Sequence, residues 1–284
     1  MSELGELVAV IVSASEDECP FPHTKQDIEK LDNVFPPVDG PTKNDAEKLA
    51  EKMTPEFHFF ELIDIRVNGE VETARFSAHH LIPGNEAWPK TNLRKWIDKS
   101  YGHIVENIGY DVNAMGNGVS LPGWPGIKYG TFAGSWSSYT HKKEYSNKCM
   151  ESVYDRRQFH DKHTTYSEFV VKVLDKINEK LDNNVKTRGN PGCGHKKCKS
   201  GSKKAFNPPI RLINRLNGVA GRLEKYLVCS ESDWQMPLYT SRWAMVYKEG
   251  IEETNAKKEL TKSGDSMRKD NKKNSDSSLK AGDF

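Results

Sequence analysis

The dipeptide Asn68-Gly69 constrains this chain more than any other feature, because it reads as the two-residue turn of an antiparallel hairpin. The run through it, Val67 to Phe76, alternates, and the part after the turn reads as a strand. That strand ends in Phe76-Ser77-Ala78-His79-His80-Leu81-Ile82-Pro83. Successive strand residues point to opposite faces, so His79 and His80 cannot do the same job. One can hold a cation while the other reaches a water or a substrate on the far side of the same backbone. A His-His pair also fits a blander arrangement, one packed imidazole and one solvated, so the residues downstream have to decide.

Downstream, Pro83-Gly84-Asn85 is a turn, followed by a helix from about Asn92 to Ser100 and a second short helix through His103 to Asn107. Gly116-Asn117-Gly118 has turn chemistry, and Val119-Ser120-Leu121 is a short strand closed by Pro122. Asn113 reads as a turn cap, with a catalytic role as the alternative. Residues 123 to about 148 read as a long Gly/Ser/Trp/Tyr-rich loop. The clearest helix is Asp161 to Leu181, with Tyr166, Phe169, Val170, Val173, Leu174, Ile177 and Leu181 at helical spacing. His160 and His163 fall at its start. Three residues apart on a helix, they would share one face within reach of a single ion. Imidazole suits Zn, Ni and other first-row ions, and Mg less well unless water and phosphate oxygens complete its shell.

The flanks are plainer. Leu7 to Val12 is a buried strand or a short helix, and Pro20, Pro22, Pro36, Pro37 and Pro41 then prevent long regular structure. A helix follows Pro41 and runs to about Met53, and Phe57 to Ile65 reads as a strand. A Gly/Lys/Pro-rich connector covers 183–209. Leu212, Leu216, Val219, Leu223 and Leu227 mark an amphipathic helix, and Trp234 to Tyr247 reads as a last strand or hairpin arm. The tail, 252–284, has almost no apolar residues to offset its ordering entropy and is expected to be disordered. His103 and His141 stand alone in polar stretches and read as surface residues. Arg156 and Arg157 are candidates for phosphate contacts, with a solvated helix start as the alternative.

Formal net charge is only +2 over 284 residues, which excludes a uniformly basic nucleic-acid coat; any such affinity has to come from local patches. Five cysteines, an odd number, make no disulfide framework and imply a reducing compartment at synthesis. Cys193, His195 and Cys198 could supply three ligands of a second, structural zinc, with Cys229 or Cys149 as the fourth; reduced surface cysteines are the alternative. The acidic start, Met1 to Glu6, is unlike a cleaved signal, and the apolar run after it is too short to span a membrane. The expectation is a protein made in the cytoplasm, with no membrane association. If secreted into a target cell's cytoplasm, it would go without a signal peptide.

Three motifs in order, AHHLIPGN at 78–85, IGYDVNAMGNGVSLP at 108–122 and RQFHDKHTTYSEFV at 157–170, resemble the AHH nuclease family of the HNH/endonuclease VII superfamily. The resemblance implies an α+β fold with a ββα-metal core at 76–182, an N-terminal elaboration at 1–75 and a C-terminal extension at 183–251. It implies His79, His160 and His163 as ligands of one divalent ion (Mg, Zn, Ni or Mn), His80 as general base, and Asn117 as the residue pinning the loop. It further implies an endonuclease acting on DNA with low sequence specificity. Such domains occur in bacterial polymorphic toxins and type VI secretion effectors, which implies a cognate immunity protein as partner. An RNase on the same core and a non-catalytic, zinc-stabilised nucleic-acid-binding protein are the alternatives.

Overall fold

The Asn68-Gly69 turn takes the conformation that its residues permit, with φ of 51° at Asn68 and 88° at Gly69. It joins β1 (Ile63–Val67) to β2 (Glu70–His80), with Val67 opposite Glu70. The computed structural model of the chain describes residues 3–12, 44–53, 63–124, 138–153, 156–188, 206, 208–209 and 211–255. The first part of the strand expected over Phe57 to Ile65 therefore lies outside the described residues.

Strand β2 serves two partners. Its first half pairs with β1 and its second half with β3 (Gly118–Gly123), both antiparallel, in the order β1-β2-β3. His79 stands opposite Val119 and His80 opposite Gly118. The strand runs unbroken through residues 75 and 76.

Around this sheet lie α1 (Glu3–Val12), α2 (Ala46–Lys52), α3 (Tyr139–Ser152), α4 (Thr164–Arg188), α5 (Leu212–Leu227) and α6 (242–255). The architecture is α+β. The apolar stripe expected on α4 is buried at every position named above, against α1, α5, β3 and the turns after β2. Burying one such side chain is worth about 1.5–3 kcal/mol. An exposed pair such as Lys176–Glu179 contributes under about 1 kcal/mol. The stripe therefore decides where α4 sits. A second cluster covers the hairpin: Ile65, Val67 and Ala74 pack with Tyr145, Cys149 and Met150 of α3 and with Phe159, Trp234 and Trp243. A third, small cluster seats Leu49 of α2 and Met53, its C-cap, on Ala78 of β2.

Several local expectations are corrected. Asn92 to Ser100 forms two short 3-10 turns, Asn92–Trp96 and Lys99–Tyr101, in place of one helix. Thr91, Asn92, Lys95 and Trp96 are drawn onto Asp175 and Asp182 of α4. His103 to Asn107 is not helical; its backbone bridges to Phe206. The supposed loop to 148 contains α3, whose polar sequence hides its few buried residues. Residues 125–137 lie outside the described residues. Trp234 to Tyr247 is no strand: a 3-10 turn at Glu231–Asp233 leads to α6, which continues through 255 into the stretch read as tail. Of the two readings open for Leu7 to Val12, the chain takes the helix.

Asn117 ties the end of β2 to the loop before β3. Its Oδ1 accepts from Ile82 N–H at 2.8 Å, and its Nδ2 donates to Val112 O at 2.8 Å and to Ile82 O at 3.1 Å. Its own carbonyl accepts from Leu81 N–H at 2.9 Å. An Asn117→Ala variant leaves these buried backbone groups without partners. We expect a loss of about 2–3 kcal/mol in urea unfolding, with Asn117→Asp falling between it and the native chain.

Candidate metal centre and active site

Strand alternation sends the two histidines of β2 to different neighbours. His79 is 1% exposed, and its ring meets those of His160, His163 and Tyr166 at centroid distances of 4.9, 4.9 and 5.2 Å. Its Nε2 is buried without a hydrogen-bond partner. Such a group is costly unless something else occupies its lone pair.

His160 is fixed by backbone pairing on both sides. Its N–H donates to Pro122 O of β3 at 2.7 Å, and the next residue, Asp161, donates its N–H to Thr240 O at 3.1 Å. The Asp161 carboxylate also accepts from the Trp243 indole at 3.2 Å. These sideways bonds keep 158–161 extended, so α4 starts at Thr164, not Asp161. His160 and His163 thus flank a bend and do not share a helix face. Their rings still lie 5.4 Å apart, at an interplanar angle of 29°.

His163 is oriented through its other nitrogen. Its Nδ1 lies 3.2 Å from Ser167 Oγ, and that hydroxyl donates its single proton to Glu86. Oγ can then only accept, so Nδ1 carries the imidazole proton and Nε2 holds the lone pair. A partner of this kind, outside the ligand set, fixes ring and tautomer.

The ligand atoms of His79, His160 and His163 all lie within 4.8 Å of one another. Burial disfavours the charged form of all three rings. Burial pushes His79 well below the ordinary histidine range, helped by the neighbouring histidines. Burial, then His163, lowers His160 to about 3. Burial also lowers His163, with Glu86 opposing. Neutral imidazoles around an orphaned Nε2 are the form in which histidine binds a cation.

On the other face, His80 is 6% exposed and its Nε2 lies 2.8 Å from Asn113 Oδ1. Burial lowers its affinity for a proton, while the bond to Asn113 and the charges of Asp45 and Asp111 oppose. Two cavities meet at the cluster. A smaller one of about 230 Å³ is lined by His79, His80, Asn44 and Ala46, and a larger one of about 630 Å³ by Ser77, Trp124, Lys162 and Thr164. His160, His163 and Glu86 line both.

The remaining candidates fall elsewhere. Arg157 is 8% exposed and spends a guanidinium N–H on Ser120 O at 2.9 Å, so it is a brace for β3 and not a phosphate contact. Arg156 lines neither cavity; it bonds Glu151 O and faces Glu231. Asn117 spends its side chain on backbone and is a positioning residue, not a catalytic one. Cys229 donates to Tyr226 O, and burial raises its thiol to about 11. Cys149 packs in the core beneath the hairpin. Cys193, His195 and Cys198 lie outside the described residues. His103 and His141 are not surface residues: His103 packs between Trp96 and Phe206, and buried His141 meets Asn68.

Sequence reading missed Glu86, Ser167 and Lys162. The spacing of His163 and Ser167, four apart, was the one signal available for the first pair.

The description of a nuclease family of the HNH/ENDO VII superfamily with conserved AHH matches residues 61–190. This stretch belongs to the AHH nuclease family. No curated protein and no solved structure matches the chain. The family match takes in the whole β1–β2 hairpin as well as the motifs, and it makes the histidine cluster part of a nuclease domain. HNH/ENDO VII nucleases are metal-dependent, and the neutral, partly orphaned donor set of the AHH domain fits a divalent ion. At 100 times its dissociation constant, such an ion adds about 2.7 kcal/mol. We expect Zn or Mn to raise the thermal midpoint of the native chain and to leave that of His79→Ala unmoved. Ser167→Ala should bind the ion about 10-fold more weakly in calorimetry.

Proposed function

We propose that the chain is a metal-dependent endonuclease that hydrolyses DNA phosphodiester bonds with little sequence preference. We further propose that it serves as a bacterial toxin or secreted effector, held in check in its producer by an inhibitor protein. The observation that carries the enzymatic reading is the two-sided strand end. A three-histidine cluster lies beside α4, His80 lies beside α2, and two cavities that share His160, His163 and Glu86 as lining flank them.

The residues divide the work. His79, His160 and His163 would hold the ion, which when bound neutralises charge developing on the phosphate. His80, buried and neutral, takes the proton of the attacking water. The larger cavity admits the strand to be cut, and Lys162 brings a positive charge to its wall. Asn117 and Tyr166, whose hydroxyl donates to Leu81 O at 2.7 Å, keep the strand end still. The toxin reading rests on the resemblance to domains found in bacterial polymorphic toxins. Among the described residues, no helix is long and apolar enough to cross a membrane.

The test is cleavage of supercoiled plasmid and of structured RNA, with Mg, Mn or Zn, with chelator, and with His80→Ala. We expect metal-dependent nicking, lowered about 10²- to 10⁴-fold in the variant while its metal affinity persists. Cleavage of RNA alone would transfer the reading to a ribonuclease. Intact DNA and RNA under every metal would overturn it. Normal growth of cells expressing the folded chain alone would count against the toxin role.

A further inference from the structure

A segment outside the family-matched stretch reaches the base. Asp45, the residue capping α2, donates its backbone N–H to Asn113 Oδ1 at 2.9 Å. A backbone N–H can only donate, so the Asn113 atom facing it is the carbonyl oxygen and not the amide nitrogen. The same oxygen lies 2.8 Å from His80 Nε2. An oxygen that only accepts requires a proton on that nitrogen. Neutral imidazole carries one proton, so Nδ1 is left with the lone pair. A flipped Asn113 amide would set donor against donor at Asp45 and would hold His80 in the opposite tautomer, with its basic atom turned into the amide.

We propose that Asn113, its oxygen aimed by the main chain at the start of α2, is the positioning residue that keeps the proton on His80 Nε2 and frees Nδ1 as the base. The proposal deepens the nuclease reading of this site and rests on it.

The surroundings hold α2 to this task. The Asn113 N–H donates to Asp111 Oδ1 at 2.9 Å, and Lys52 of α2 pairs with the other oxygen of Asp111 at 2.6 Å. Asn44 accepts from Gly84 N–H at 2.5 Å and donates its own N–H to Asn85 at 3.2 Å. Leu49 and Met53 pack so closely over β3 that a Cβ on Gly118 would lie 2.2 Å from Met53 Sδ. Asn44 and Ala46 in turn line the small cavity beside His80.

The experiment compares the native full-length chain with Asn113→Ala and Asn113→Asp. Both variants are first checked for a native-like thermal midpoint and for Mn binding by calorimetry. Turnover is read on plasmid, and the His80 tautomer by nitrogen-15 NMR at neutral pH. Asn113→Asp keeps an acceptor oxygen and should keep kcat within about threefold, with the proton on Nε2. Asn113→Ala should lose about 10- to 100-fold in kcat at unchanged KM and Mn affinity, and its His80 should populate both tautomers. Native kcat in Asn113→Ala, an equal loss in Asn113→Asp, or an Nδ1–H tautomer in the native chain would overturn the proposal. The NMR readout needs no turnover, so a chain that cuts neither DNA nor RNA would sink the nuclease reading while the proton on His80 was still located.

Discussion

The pairing of β2 with β3 is the constraint on which the rest of the molecule depends. With His80 opposite Gly118 and His79 opposite Val119, the period of two in a strand assigns each histidine to one side of the sheet. A slip of one residue would exchange the two rings and turn the core face of the strand to the wrong side. The Asn68-Gly69 turn sets the register of β1 on β2, and Asn117 ties the far end of β2 to the loop before β3. Arg157 adds a third tie, through the carbonyl of Ser120.

Around that axis, two helices contribute in different ways. Helix α4 brings its apolar stripe to the main core, and its start brings His163 to His79. Helix α2 is short and buries little; it contributes a backbone N–H and a close approach over a glycine. The C-terminal part also takes part, since Thr240 and Trp243 hold the extended chain that carries His160. The site is thus assembled from segments far apart along the chain. Each contributes polar bonds worth about 1 kcal/mol apiece, on a frame set by much larger apolar burial.

Much of this was legible in the sequence where a period was strong. The alternating run to His80 and the stripe from Tyr166 to Leu181 gave the hairpin and α4, and the histidine motifs pointed to the cluster. Local pattern failed where tertiary bonds override it. Nothing within 158–163 says that its N–H groups will pair with Pro122 and Thr240, so the helix was started too early. Helix α3 escaped because its buried face is made of Tyr145, Cys149 and Met150 among polar neighbours. Arg157 looked like a cation for substrate because sequence cannot report burial. Asn113 looked like a turn cap because its partner, Asp45, is sixty-eight positions away.

The bond from Asp45 to Asn113 also bears on modularity. A stretch cut at 61–190 carries His79, His80, Asn113, His160 and His163, yet not the Asp45 amide that donates to Asn113. Moved to another chain, the stretch would have to find a replacement donor in its new host. The unit that has to stay together is therefore larger than the matched stretch, and the extra piece contributes a backbone amide at a helix start, not a particular side chain.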